Sequence, residues 1–517
     1  MTTPRQISLR TLSISAFLWG GGGSFLRLSL QIAAQIVLAR IVGPEQYGLF
    51  AMGVLVLGFS VFLSDIGMAY GLIQLKHLDS THIRFVFTWQ LVIGLIITLT
   101  LTTLSAGLAE YFREPRMAAI IFALAPIALL QAGSAVSLSL LKREMDFKSI
   151  QITQITAYFV GYLCVGIPLA MAGAQIWALV AAWLVQSLVA AVLFYRAARH
   201  PIKPLFRHVG AGSMSFFGIT VLATNLSNWL ITNIDRTIVA RSLSSIAVGL
   251  YANAYNLVNT PSTTLAGFIQ PVMYSACAKM QEDPHRIRKA YLMLVSGISL
   301  VLIPVYFVVS VISETVILAL YGQVWQPAAE ILCPIALAMP TFLLWNITTP
   351  VLWNSGRVTL EFKLQFPLAA IWLIGGVLAV QYSLTTLAWT VSGLFLIRMM
   401  IFTQIAMRLL DISLPDYLQA LRGGLTLGVL VVITAWTTEQ LLTHLAVDPV
   451  FKLLAIIALS GFAILIALKF LPSLIALSLV EVLVQMLGRL PVRTVRFLRW
   501  LLATQLNQSS LKNKTIT

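Results

Sequence analysis

The chain has 517 residues, of which 59% are hydrophobic and only 10% are charged. A soluble domain carries roughly 25% charged residues because its surface faces water, so this composition excludes a large soluble domain and indicates that lipid is the main solvent. The net charge of +16 would suggest nucleic acid in a soluble protein, but here the basic residues stand in short segments between apolar runs. That pattern is typical of membrane topology, so we expect membrane lipid and no nucleic acid as a partner.

Apolar runs long enough to cross the hydrocarbon core recur from one end of the chain to the other. They predict an all-α membrane protein with about fourteen transmembrane helices. Several predicted spans contain proline, which transporter helices tolerate because neighbouring groups satisfy the freed carbonyl groups. The predicted spans, in chain order, are 12–39, 47–74, 85–108, 117–140, 151–172, 176–195, 213–239, 247–276, 291–312, 328–353, 365–382, 384–406, 424–442 and 451–471.

Lysine and arginine are distributed unequally between the two sides of these spans. With the N-terminus in the cytoplasm, the opposite side holds only Arg40, Arg113, Arg116, Arg241 and Lys452. The positive-inside rule therefore predicts that both termini are cytoplasmic. The C-terminal tail is basic and amphipathic, and we expect it to lie on membrane lipid.

The sequence repeats itself between its two halves. Span one ends in Val37–Arg40 (VLAR) and span seven in Ile238–Arg241 (IVAR), and Gly48 and Gly249 follow the two arginines at the same distance. An even number of spans separates the copies, so they share one orientation, and substrate sites of such transporters lie between the halves near mid-membrane. The prediction is two six-helix bundles around a central cavity, two additional helices and a tail, with domains 1–200, 201–410, 411–472 and 473–517.

Three stretches of the chain resemble the polysaccharide transporter family. Residues 37–48 (VLARIVGPEQYG) are similar to its LAR-x-LGPxxYG signature, 140–147 (LLKREMDF) to its LLQRELxF loop, and 233–255 to its stretch ending in GYYxxAY. In the second copy of the signature, Ser244 and Ser245 replace the usual Gly-Pro. The resemblance is to Wzx-type flippases of lipid-linked oligosaccharides in the multidrug/oligosaccharidyl-lipid/polysaccharide exporter superfamily, and it is strongest for exporters of colanic-acid-type exopolysaccharides.

This resemblance implies a multi-pass protein of the bacterial cytoplasmic (inner) membrane. It would move undecaprenyl-pyrophosphate-linked oligosaccharide repeat units by alternating access, for exopolysaccharide or lipopolysaccharide biosynthesis, and other polysaccharide assembly proteins are expected partners. One alternative is a cation-coupled multidrug antiporter of the same superfamily, which needs an acidic cavity. Another is a membrane polysaccharide polymerase or ligase, an enzyme whose usual large outer loop the predicted topology lacks. The sequence has no phosphate-binding loop and no cysteine–histidine cluster, so we expect no cofactor, no metal and no catalytic residues.

Among the ionisable residues within the predicted spans, five are candidates for a functional role, because an ionised group there costs about 2.5–3.5 kcal/mol and usually faces a cavity or a partner. We interpret Arg27, Arg236 and Arg398 as ligands of the cargo's pyrophosphate, because guanidinium is always charged and binds phosphate oxygens in pairs. Asp65 and Asp235 are the candidates for binding a coupling ion, either H⁺ or Na⁺. The alternative for each is a structural pair between helices or, for Arg398, a side chain that extends to the membrane surface.

Uncharged polar side chains in the spans are candidates for binding sugar hydroxyl groups. Asn225 and Asn228 are three residues apart and share a helix face, as do Asn253 and Asn256. The alternative is that these amides form hydrogen bonds between helices. The candidate set is Asn225, Asn228, Asn233, Asn253, Asn256, Gln31 and Gln270, with Tyr255 and Asn346 as further members.

Overall fold

A computed structural model describes residues 9–64, 68–74, 78–207, 229, 232–280 and 283–471. These residues are largely helical and contain no β-strand. Eleven helices in this part of the chain are long and apolar enough to cross a membrane. The predicted all-α membrane fold is confirmed. The count of fourteen spans stays a prediction, and most of span seven and almost all of the C-terminal tail lie outside the described residues.

Helix α1 (Leu9–Ser64) joins most of the first two predicted spans without a loop. It bends at Gly43, whose φ of 80° and ψ of 169° are not helical. Glycine is favoured here because a side chain is strained at positive φ. Pro44 follows directly and begins the second half of the helix, where its missing N–H group leaves no hydrogen bond unmade.

The described residues form two compact units, which divide between Asn253 and Ala254. The predicted domain boundaries stay predictions. In the first unit, a π-helix precedes Pro168, whose missing N–H group and ring disturb regular helical hydrogen bonding. The elements after α1 are α2 (Met68–Gln74), α3 (Ser80–Tyr111), α4 (Met117–Leu124), α5 (Pro126–Arg143), α6 (Phe147–Tyr158), the π-helix (Phe159–Gly166), α7 (Ile167–Met171), α8 (Ile176–Ala197) and the helical segment 232–242.

Helix α9 (Ser245–Lys279) begins in the first unit and continues into the second. Within the second unit, two helices approach closely at Gly424, where an added Cβ atom would lie 2.3 Å from the backbone oxygen of Ser299. The remaining elements are α10 (Pro284–Val311), α11 (Ser313–Tyr321), a 3₁₀-helix (Gln323–Trp325), α12 (Ala328–Asn346), α13 (Thr349–Asn354), α14 (Val358–Val380), α15 (Leu384–Leu409), α16 (Leu414–His444) and α17 (Pro449–Phe470).

Large apolar side chains are exposed along α17, the last helix that the structure describes in the second unit. Phe451, Ile457 and Phe462 on α17 are 58–68% exposed. A helix that presents such side chains outward is stable in lipid, whereas in water they would form an aggregation-prone apolar patch. The exposed apolar surface therefore agrees with the composition, which indicates lipid as the solvent.

The two copies of the repeated motif contact each other within the first unit. A Cβ atom added at Gly48 would lie 1.8 Å from the backbone oxygen of Ser245, and one added at Gly249 would lie 1.9 Å from that of Pro44. Pro44 and Ser245 occupy equivalent positions of the two copies, and so do the two glycines. The contact is therefore reciprocal, as in a two-fold interface, and glycine is required for the backbones to come this close.

Candidate functional site

Arg27 lies in α1, in the interior of the first predicted span. Its Nη1 donates a hydrogen bond to Gln154 Oε1 on α6, and its buried Nε has no hydrogen-bond partner. Within the described part of the chain, no carboxylate forms an ion pair with Arg27. A half-buried guanidinium whose charge no neighbouring acid neutralises is suited to bind an anion.

Gln154 also lines a cavity of about 310 Å³ inside the first unit. Helices α3, α5, α6 and α8 surround this glutamine cavity, and each contributes one glutamine: Gln90, Gln131, Gln154 and Gln186. Gln90 is 1% exposed, and neither atom of its side-chain amide has a hydrogen-bond partner. Charged residues within the spans are a stronger signal in the sequence than glutamines, so this cavity is not among the predicted sites, although each of the predicted spans three to six contains one of these glutamines.

Asp235 and Arg236 are adjacent in the helical segment 232–242 and have different hydrogen-bond partners. Asp235 is 3% exposed, and its Oδ2 accepts a hydrogen bond of 2.6 Å from the hydroxyl group of Tyr251 on α9. The Arg236 Nη1 atom donates to Asn233 Oδ1 over 3.5 Å. The Tyr251 contact agrees with a structural role for Asp235. Its binding of a coupling ion and the binding of pyrophosphate by Arg236 stay predictions.

Arg398 on α15 is 3% exposed and lies within the second unit. Its guanidinium carbon is 3.8 Å from the centre of the Trp345 ring and 5.7 Å from that of Phe402. Stacking on an aromatic face stabilises a desolvated cation by about 2 kcal/mol. The side chain is therefore held among aromatic rings and does not extend to the membrane surface, while its role as a pyrophosphate ligand stays a prediction.

One buried acid of the second unit is not among the residues predicted from the sequence. Glu361 lies in the first turn of α14 and is 7% exposed. Trp353 Nε1 donates a hydrogen bond of 2.5 Å to Glu361 Oε2, and Thr349 Oγ1 donates one of 3.4 Å to Glu361 Oε1. The positive charge of Arg398 also attracts the Glu361 carboxylate electrostatically. Hydropathy assigned this residue to a loop because predicted span eleven begins at residue 365. Its burial makes Glu361 a further candidate for binding a coupling cation.

Several of the uncharged candidates bind backbone oxygens. Asn233 Nδ2 donates to Trp229 over 2.9 Å, and Gln270 Nε2 donates to Asn346 over 3.4 Å. The Asn346 Nδ2 atom in turn donates to Phe342 over 2.8 Å. These bonds agree with the alternative that such amides stabilise helices and their contacts, although sugar binding is not thereby tested.

Other members of the set are differently placed. Asn253 is fully buried with neither amide atom hydrogen-bonded, whereas Gln31 and Asn256 are half-buried.

Arg27 and Arg236 belong to the first unit and Arg398 to the second. Three predicted residues lie outside the described part of the chain: Asp65, Asn225 and Asn228.

Comparison with known families finds a match over residues 37–330, to the model of a family described as polysaccharide biosynthesis protein. The chain belongs to this family. The matched region contains both copies of the repeated motif, the loop between α3 and α4, the glutamine cavity and Asp235 with Arg236. Membership in this polysaccharide biosynthesis family confirms the resemblance that the sequence motifs indicate.

Curated members of related polysaccharide systems are similar to this chain over much of its length. The lipopolysaccharide biosynthesis protein WzxC of Escherichia coli K12 is 25% identical over 370 residues, which are 69% of this chain and 73% of WzxC. The succinoglycan biosynthesis transport protein ExoT of Rhizobium meliloti is 24% identical, over 63% of this chain and 66% of ExoT. The teichuronic acid biosynthesis protein TuaB of Bacillus subtilis is 22% identical, over 79% and 85%.

Two solved structures share the fold of this chain. The lipid II flippase MurJ, in an inward closed conformation, aligns with a TM-score of 0.68 and 14% identity, over 86% of this chain and 97% of MurJ. An inward-facing multidrug resistance transporter of the MATE family aligns with a TM-score of 0.59 and 14% identity, over 74% and 95%. At these identities the likeness demonstrates the fold alone.

A salt-bridge cluster lies beside the family signature, on the side that the charge bias predicts to be outer. Arg116 contacts Glu45, which stands in the signature, and Glu114, each at 2.8 Å. The hydrogen bond and positive charge from Arg116 lower the pKa of the Glu114 carboxyl below its usual value. The cluster connects the second half of α1 to the loop between α3 and α4 within the first unit.

Proposed function

We propose that this protein is a flippase that moves undecaprenyl-pyrophosphate-linked oligosaccharide repeat units from the cytoplasmic to the outer leaflet of the bacterial cytoplasmic membrane. The observation that carries the proposal is Arg27, a half-buried guanidinium in an apolar helix with no acidic partner among the described residues. Membership in the polysaccharide biosynthesis family and the fold shared with a lipid flippase support it. The names of its relatives, which include a succinoglycan transport protein, point the same way.

The barrier to such transport is the desolvation of the pyrophosphate. The polyprenyl tail stays in lipid, but the anionic head crosses a layer of low dielectric constant, where an unpaired charge is costly. Arg27 would bind phosphate oxygens through charge-assisted hydrogen bonds and so lower this barrier. Gln154 would be released as its hydrogen-bond partner when the phosphate arrives. Arg236 and Arg398 are the further cationic ligands in this proposal.

Alternating access would be coupled to a gradient of H⁺ or Na⁺, with Asp65, Asp235 or Glu361 as the group that binds the ion. Both Asp235 and Glu361 are buried. Asp235 accepts a hydrogen bond from Tyr251, and Glu361 accepts hydrogen bonds from uncharged donors while Arg398 is the positive charge that acts on it. A cation arriving at such a carboxylate would neutralise it within the membrane. Asp235→Asn and Glu361→Gln separately remove this charge, and transport that keeps its dependence on the ion gradient in both would exclude these two residues.

The test measures export of polymer in a bacterial strain that lacks its own flippase, together with the amount of protein in the membrane. Arg27→Ala and Arg236→Ala are expected to abolish export while the protein still reaches the membrane. Arg408→Ala, at an exposed position of α15, is the matched control and should export normally. Normal export by both of the first two variants would overturn the cationic-site proposal.

An assay with the purified protein in liposomes distinguishes flipping from the alternative functions. A flippase moves a fluorescent undecaprenyl-pyrophosphate-linked sugar between leaflets without changing its covalent structure. A multidrug antiporter would instead move a cationic dye, and a polymerase or ligase would form a larger glycan. Movement of the lipid-linked sugar with no new covalent product is the expected result. The proposed topology has both termini in the cytoplasm, and other polysaccharide assembly proteins are the proposed partners.

A further inference from the structure

The glutamine cavity has a composition that selects a particular kind of ligand. Its polar wall consists of the four glutamine amides with Ser134 and Ser187, and none of its lining residues in the described part of the chain is charged. The ring of Trp183 also lines it and is held by an edge-to-face contact with Phe50 at 5.8 Å. The cavity therefore offers uncharged hydrogen-bonding groups together with one aromatic ring.

Gln90 indicates that the cavity is incomplete without a polar occupant. Its amide carries two donor hydrogens and an acceptor oxygen, all buried, and neither heavy atom has a hydrogen-bond partner. Buried polar groups in folded proteins are nearly always bonded, so an isolated one beside a cavity points to something that enters it. Amides both donate and accept, as do neighbouring hydroxyl groups of a sugar, and the apolar face of a sugar ring can lie on an aromatic ring.

The position of Gln154 connects this cavity to the anion site. Its Oε1 atom accepts the hydrogen bond from Arg27 while the residue also lines the cavity. A phosphate bound by Arg27 therefore lies one side chain away from the cavity. At about 310 Å³ the cavity is at the small end of ligand sites, which suits a single small ring rather than a whole repeat unit.

We propose that the glutamine cavity binds the sugar directly attached to the pyrophosphate of the cargo. This proposal rests on the proposed function and adds to it a site for the first sugar, formed by helices of the first unit alone. The flippase would then recognise the junction of pyrophosphate and first sugar, and the rest of the glycan would contribute less to affinity.

The test compares two probes on the purified full-length protein in lipid nanodiscs. One is undecaprenyl pyrophosphate without sugar, and the other is the same lipid carrying a single glucose, galactose or N-acetylglucosamine. The unchanged protein is expected to bind at least one of the sugar-bearing lipids about tenfold more tightly than the sugar-free lipid. Gln90→Leu and, separately, Gln186→Leu should abolish that preference and leave binding of the sugar-free lipid unchanged.

The control variant is Gln151→Leu. Gln151 is another buried glutamine of α6, donates to Ser24 and does not line the cavity, so its replacement should keep the preference. If the cavity holds only water, all the probes should bind with equal affinity. Equal affinities overturn the sugar site, and so does a preference that survives both cavity variants. Both leave the flippase proposal standing. Failure of the unchanged protein to bind any of the lipids would overturn the proposed function as well.

Discussion

Replacing Gly48 with alanine would place a methyl group where the backbone of another helix lies. The added Cβ atom would be 1.8 Å from the backbone oxygen of Ser245 and 2.8 Å from the backbone nitrogen of Gly249. Neither neighbour is the end of a flexible side chain, so rotamer changes cannot relieve the clash. The start of α9 and the second half of α1 must move apart.

The size of the effect follows from this geometry. Ordinary contact begins at 3.4 Å, so the backbones must separate by about 1.6 Å at Ser245. Overpacking of this kind costs about 1–3 kcal/mol, and more where the neighbour is rigid. At about 1.4 kcal/mol per factor of ten, we expect a shift of roughly 5- to 150-fold towards conformations in which these two helix ends are apart.

Spin labels at two exposed positions beside the contact measure this shift. Cysteines at positions 41 and 246 flank it, after Cys164, Cys277 and Cys333 have been replaced. Pulsed electron spin resonance on the protein in lipid measures the distance between the two labels. This distance should be short when Gly48 is unchanged, and Gly48→Ala should give a larger population of long distances. Export of polymer should fall in parallel, because one state of the transport cycle has been destabilised.

The control is Gly107→Ala, since an added Cβ atom there has no neighbour within 4 Å. It should leave the distance distribution unchanged and be neutral or slightly stabilising, because alanine favours helix more than glycine. Identical distributions for the unchanged protein and Gly48→Ala would refute the close backbone contact. An equal lengthening in both alanine variants would show that the effect is not specific to it.

Three further predictions concern individual contacts, and thermal unfolding in detergent measures each. Tyr251→Phe leaves the buried Asp235 carboxylate without its donor and should destabilise the protein by about 1–3 kcal/mol, whereas Asp235→Asn, which keeps an acceptor, should cost less. Arg398→Lys loses planar stacking on Trp345 and should cost about 1–2 kcal/mol, while an unchanged midpoint would contradict the stacking. The Glu114 pKa lies below its usual value, so its stabilising contact is fully present at neutral pH and is lost as pH falls through the lowered pKa. Glu114→Gln should therefore lower stability at pH 7 by at most about 1 kcal/mol, since the pair is partly exposed, and this loss should shrink steadily as the pH is lowered into the acid range.

Helix positions were the most predictable part of this protein. Predicted span 176–195 corresponds to α8 at Ile176–Ala197, and span 384–406 to α15 at Leu384–Leu409. The agreement has a physical cause, because a segment in lipid must satisfy its backbone within itself and be apolar over a fixed length. Both properties belong to the segment and are readable without knowledge of its neighbours.

The ends of helices were less predictable. The loop expected after residue 39 is a bend at Gly43 within one helix. The segment 313–327, which separates predicted spans 291–312 and 328–353, contains α11 and a 3₁₀-helix. Hydropathy places Glu361 in a loop, although α14 extends over this residue and buries it. Hydropathy averages over a window, so it loses a polar residue in the terminal turn of an apolar helix.

Three features of this protein are readable from the amino-acid sequence: lipid is its main solvent, a motif is repeated, and Arg27 stands among apolar residues. The residues that these features contact are visible only in the folded chain. Gln154 follows Arg27 by 127 positions, and the glutamine cavity draws one residue from each of four helices. Gly48 and Gly249 were recognisable as equivalent positions, but not as reciprocal contacts. Residues this far apart in the sequence come into contact only when the helix faces that carry them pack together. That packing depends on the whole bundle rather than on the composition of any one segment.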